Sequence, residues 1–274
     1  MQSTRRLLKS LFFSVLLIPC IVTAETTVTF KAEDGTIPSD FLADIKQVSN
    51  EITLFFNWLA PINGDLKIVW ANKIDGPLFD PGINTIQMPY EFATELYTLF
   101  SEDNYEKTGR SVDQATLDAL QFILFHEYGH AYLNHNQIVV LGKEEDAVDN
   151  LATLLLLYFN DNGEDIVFSA ADWFAISDEK TEAFEDGHFW DEHSLDAQRY
   201  YNIQCLVFGF NPEKYKNEYT DEQIEQGHDE YCESEHQRQL FKWLDVIAKH
   251  SHDITSEELL ERIQQGQPLP AENK

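Results

Sequence analysis

The chain has 274 residues, 48 of them acidic and 19 basic, for a formal net charge of −29. That charge excludes a nucleic-acid backbone or an anionic lipid surface as partner, because both would repel it. With 43% hydrophobic and 13% aromatic residues the chain can fill a core, which excludes a disordered acidic tail protein.

Residues 1–24 are expected to be a secretory signal peptide. Arg5, Arg6 and Lys9 make a basic start, Leu11 to Val22 a short apolar run, and Val22-Thr23-Ala24 a small-residue cleavage site. An uncleaved anchor is the alternative, although the run is short for a bilayer span. A lipoprotein fits less well, because Pro19 before Cys20 matches a lipobox poorly. Removing three bases and no acids leaves the part from Glu25 onward at a net −32. No later apolar run approaches ~18 residues, so no membrane span is expected after cleavage. The expected location is periplasmic or extracellular. In that compartment Cys205 and Cys232 suggest one disulfide, stabilising by about 3–4 kcal/mol in the chain-entropy model. Two separate buried thiols are the alternative.

Along residues 25–274, expected to be a single domain, the N-terminal part to residue 110 carries the β-structure. Thr26–Lys31 and Asp65–Asn72 alternate and predict strands. Between them, Phe41, Ile45, Val48, Ile52, Phe55, Phe56 and Leu59 follow helical spacing behind Pro38-Ser39-Asp40. Asp75-Gly76-Pro77 and Asp80-Pro81-Gly82 predict turns, and Ile83–Met88 a strand that Pro89 marks as an edge. Glu91–Leu99 predicts a helix. From 111 to 274 the chain is helical in pattern. Ser111 and Gln114 form a capping box before the apolar segment Leu117 to Leu133. Further helices are predicted at Glu144 to Phe159, Asp165–Ile176, Leu195–Phe208, Asp221–Leu244 and Ser256–Gln264. The expected class is α+β: a small N-terminal sheet packed on a mainly helical domain.

Residues 126–130 read His-Glu-Tyr-Gly-His, an HExxH motif. On a helix, residues four apart share one face, so both imidazoles can converge on one metal ion. Glu127 projects beside that site and can act on a water instead of ligating. A chance HExxH is the bland alternative. Against it, Phe122 to Phe125 precede the motif and Ala131 to Leu133 follow it, which predicts a buried helix. Two histidines and a glutamate inside such a helix are costly unless something binds them.

A catalytic zinc site needs a third protein ligand. Glu145 and Asp149 lie one helical turn apart at the start of the next helix. Glu145 is assigned as the ligand, with Glu144 its competitor. Asp149 is expected to accept the other ring N–H of a ligand histidine, foremost His126. A dipole-favourable, solvated helix start is the alternative for these acids. A metzincin would need a third histidine at position 136, which is Asn136, and a glycine at 133, which is Leu133. His135 is one residue out of register and is expected on the surface past the helix end. The pattern resembles the gluzincins, in which HExxH is followed by a glutamate ligand on a second helix. The gap from His130 to Glu145 is shorter than in their thermolysin-like members.

The likeness extends further. Phe125-His126-Glu127-Tyr128-Gly129-His130-Ala131, Leu141 to Asn150, Asp191 to Arg199, Asn202 to Cys205 and Tyr231-Cys232-Glu233 together resemble a bacterial family of metallopeptidase-like proteins of unknown function. The resemblance spans nearly the whole chain after residue 24. It implies a gluzincin-like fold and a secreted zinc protein, and it supplies no substrate.

The expected activity is zinc-dependent hydrolysis of peptide bonds. Zn²⁺ polarises the scissile carbonyl, and Glu127 takes the water proton and returns it to the leaving amine. His193 and Arg199 are the candidates for stabilising the oxyanion, with Asp191 or Asp196 orienting them. A structural ion pair is the alternative for Arg199. The edge strand at 83–88 could pair with an extended peptide, or be an ordinary edge. Trp190, Tyr200 and Tyr201 are expected in the core or a pocket wall. His188, His228, His236, His250 and His252 are expected to be solvated. Competing functions are a non-catalytic zinc-binding protein on a peptidase scaffold, and a zinc amidase acting on cell-wall material. The presence of Glu127 favours an enzyme, because a binding module needs no base there.

Overall fold

The computed structural model describes residues 25–62, 64–181 and 183–270, so the signal peptide expected at 1–24 lies outside the described residues. The fold is α+β and mainly helical, with one four-stranded sheet among the described residues. These residues form two compact units, one ending at Glu144 and the other starting at Glu145.

The unit ending at Glu144 holds the sheet. Its elements are β1 (Thr27–Phe30), α1 (Ser39–Leu59), β2 (Lys67–Ala71), β3 (Leu78–Asp80), β4 (Thr85–Pro89), α2 (Tyr90–Asp103) and α3 (Val112–His135). The strand order is β1-β2-β4-β3; β1, β2 and β4 are parallel, and β3 is antiparallel to β4. Trp70 sits opposite Phe30 on one side and Met88 on the other. The strand expected at the edge is therefore interior: β4 pairs with β2 along its length and with β3 from Thr85 to Gln87. Pro89 is tolerated because it ends the strand and caps α2. The edge is instead β3, three residues held between the two predicted turns.

Helix α3 carries the HExxH motif and starts as predicted. The Ser111 side chain accepts from the Gln114 backbone N–H, and Gln114 accepts from that of Ser111. Its residues are buried on nearly every side. Aromatic packing fixes it against α1: Tyr128 stacks on Phe56 at 3.5 Å, and Phe125 meets Phe56 at 4.8 Å. The Tyr128 hydroxyl donates to the Ala60 carbonyl at 2.6 Å. Burial pushes that phenol well above its ordinary pKa, so it remains a donor. The motif helix thus sits on a rigid aromatic seam. His135 is the last residue of α3, not a residue beyond it, and its Nε2 lies 2.6 Å from Asn84 Oδ1.

The unit from Glu145 onward is helical. It holds most of α4 (Glu144–Phe159), then α5 (Gly163–Glu179), α6 (Asp186–Trp190), α7 (Asp196–Phe210), α8 (Pro212–Tyr215), α9 (Asp221–Glu225), α10 (His228–Ile247) and α11 (Ser256–Gln265). Helix α7 packs on α5 and α10. The Cys205–Cys232 disulfide joins α7 to α10 with the Cα atoms 5.0 Å apart, which is compatible with export. His236 is buried beside this junction, contrary to its expected solvation. Its Nδ1 donates to the Leu206 carbonyl at 2.7 Å, and its Nε2 accepts from the Tyr158 hydroxyl at 2.9 Å. His252 is also buried, with Nδ1 2.8 Å from the Pro270 carbonyl oxygen. Among the described residues, no helix is long and apolar enough to cross a membrane.

Gly209 allows α7 and α10 to approach. A Cβ there would sit 2.1 Å from the Cys232 carbonyl oxygen and 2.6 Å from His236 Cβ. Glycine to alanine inside an ordinary helix gains roughly 0.5–1 kcal/mol. Here Gly209→Ala is expected to lose about 1–3 kcal/mol through overpacking. Urea denaturation checks the sign; a stabilised variant would show that the helices can part freely.

Candidate metal centre

Two turns of α3 present the first donors. His126 and Glu127 are buried, and His130 is half-buried. The four-residue spacing brings the rings together: His126 Nε2 and His130 Nε2 are 3.2 Å apart. Two imidazole nitrogens at that distance cannot both carry protons. Between them there is room for one shared proton or one cation.

His130 Nδ1 lies 2.8 Å from Glu144 Oε1. With Nδ1–H as the donor, the Nε2 lone pair of His130 is left for a metal. This gives Glu144 a part the sequence did not suggest: it is placed at the ring's outer nitrogen. Glu145 follows it directly in the first turn of α4 and, unlike Glu144, is buried. The donor atoms of His126, His130 and Glu145 all lie within 4.8 Å of one another.

That donor set suits a tetrahedral cation. Ligand nitrogens about 2.0–2.1 Å from zinc, at tetrahedral angles, stand about 3.3 Å apart. The observed 3.2 Å between the two Nε2 atoms agrees. Two imidazoles and one carboxylate are a borderline set that suits zinc and other divalent transition metals alike, so the donors by themselves do not choose the metal.

Around Glu145, the unit that it opens brings in both residues named for the oxyanion. His193 Nε2 lies 3.1 Å from Glu145 Oε2. The hydrogen bond to Glu145, aided by Asp191, raises the His193 pKa against the opposing effects of burial and Arg199. Asp191 Oδ1 also accepts from the backbone N–H of His193 at 2.8 Å, which fixes the loop. Arg199 is buried and gives Asp149 a two-pronged bond, Nε at 2.7 Å and the terminal nitrogen at 2.8 Å. Its guanidinium stacks 3.9 Å from the centre of the Phe174 ring. Burial lowers its pKa, but Asp149 more than offsets this, so the net shift is upward and the pair stays charged. Asp149 lies one turn beyond Glu145 on α4, and its carboxylate is held in one orientation.

No curated protein and no solved structure matches the chain. A family model does match, over residues 31–247, which takes in the HExxH helix, the acidic start of α4, and both His193 and Arg199. The chain therefore belongs to the family whose description is "Putative metallopeptidase".

Proposed function

We propose that the protein is an exported zinc-dependent peptidase. The observation that carries this is the converging group of His126, His130 and Glu145 around an HExxH glutamate. Bound there, Zn²⁺ would polarise a peptide carbonyl and lower the pKa of a water on it. The chain supplies the rest. Glu127 accepts the proton of the attacking water and delivers it to the leaving amine. Glu144 sets the tautomer of His130 by taking its Nδ1–H. His193, whose ring Asp191 holds beside Glu145, is the group suited to donating a hydrogen bond to the carbonyl oxygen. Arg199 acts through Asp149, as a positioning residue.

The substrate is an extended peptide. Strand β3 leaves one edge of the sheet unpaired among the described residues and packs on α3, the helix that bears the motif. An extended chain can add to such an edge through backbone hydrogen bonds. Pairing at β3, not at the strand first expected, is what the topology supports.

Purified protein is expected to carry about one zinc per chain, measured by elemental analysis. His126→Ala is expected to bring the content to background, because two ligands rarely retain the ion. A metal-free preparation that still cleaved peptides would overturn the assignment.

A further inference from the structure

Three residues before His193, the chain ends a short helix that covers nothing. None of the five residues of α6 is buried. Phe189 is 64% exposed and Trp190 88%, where a core or wall position was expected for Trp190. Phe184, just before the helix, is 46% exposed. It lies edge-on to His188 at 5.9 Å and 6.2 Å from Phe189, so these three rings form one patch, with Trp190 next to Phe189 in the chain. Contiguous exposed aromatics of this kind mark interaction surfaces.

The charge around the patch indicates what covers it. Residues 181–198 contain six acids and no lysine or arginine. Glu185, Asp186, Asp191 and Glu192 are exposed. A second copy of this chain, itself strongly negative, is repelled from such a surface. An acidic peptide is repelled too. A neutral apolar segment would use the rings and gain nothing from the carboxylates. Lysine and arginine side chains use both: the cation lies on an aromatic face, and the carboxylates pair with it.

The patch is also tied to the candidate centre. Three extended residues span at most about 10 Å. Asp191, next after Trp190, grips both the backbone N–H and the ring of His193, and His193 meets Glu145. We propose that the α6 segment is the substrate-docking lip of the site, and that it selects peptides carrying lysine or arginine. This deepens the peptidase reading and rests on it.

The test uses two labelled peptides of one sequence, with lysines in one replaced by glutamates in the other. Binding is read by fluorescence anisotropy on zinc-loaded Glu127→Gln protein, and cleavage on wild type. The basic peptide is expected to bind about tenfold or more tighter, with the difference shrinking in salt. Phe189→Ser with Trp190→Ser is expected to weaken its binding about tenfold, with no change in thermal midpoint because both side chains are exposed. Asp186→Lys with Glu192→Lys is expected to abolish or invert the preference. Binding blind to charge, or unmoved by either pair of changes, overturns the proposal. Cleavage by wild type without preference for the basic peptide overturns the lip and leaves the peptidase standing. Basic-peptide binding through α6 with no peptide ever cut sinks the peptidase and the substrate role together.

Discussion

Glu127→Gln is expected to keep its zinc and lose about 10²- to 10⁴-fold in kcat, the usual contribution of a positioned general base. Glutamine has nearly the volume of glutamate, so the packing of α3 against α1 is undisturbed. It cannot take a proton, and that is the difference being tested. The three proposed ligands are other residues, so the zinc content reports separately on the centre. Glu127 is buried, and a neutral amide costs less to bury than a carboxylate, so the thermal midpoint is not expected to fall. KM is expected to change little, because the lost interaction belongs to the transition state. Elemental analysis, a melting curve and steady-state kinetics on one preparation separate the outcomes. Full activity would dismiss Glu127 as the base. Loss of zinc would mean that Glu127 holds the metal itself.

The motif helix was legible because its signals are local. The capping box at Ser111 and Gln114, the unbroken apolar flanks and the four-residue histidine spacing all lie within one helix. Strand β3 was not legible, since three residues between two turns show no alternation. Its partner is what makes it a strand, and that pairing moved the edge away from β4. The same limit explains the histidines. His236 sits among polar neighbours in sequence, yet Tyr158 and Leu206 surround it in space, through the close approach at Gly209. At the centre, the sequence singled out Glu144 and Glu145 as rivals for one place. In the structure they stand differently: Glu144 is exposed at the outer nitrogen of His130, while Glu145 is buried. Trp190 failed in the opposite direction, because an aromatic residue by itself predicts burial, and only its spatial surroundings show that the ring is left exposed.

Arg199→Ala is expected to destabilise the protein by about 3–5 kcal/mol, since it takes from the buried Asp149 carboxylate the cation that binds both of its oxygens. Both side chains are under a tenth exposed, so water does little to screen the loss. Arg199→Lys keeps the charge but gives up the two-pronged bond and the stacking on Phe174, so an intermediate loss is expected. Replacing both partners, Arg199→Met with Asp149→Leu, is expected to recover most of the stability, because no charge remains to be desolvated. The double variant then divides structure from chemistry. If the pair exists only to hold the fold, the recovered protein binds zinc and turns over as wild type does. If Arg199 works by fixing Asp149 one turn from Glu145, stability returns while zinc affinity and kcat stay low. Urea denaturation beside a zinc titration reads both, and a single Arg199→Ala loss below about 1 kcal/mol would show that Asp149 finds solvent or another partner instead.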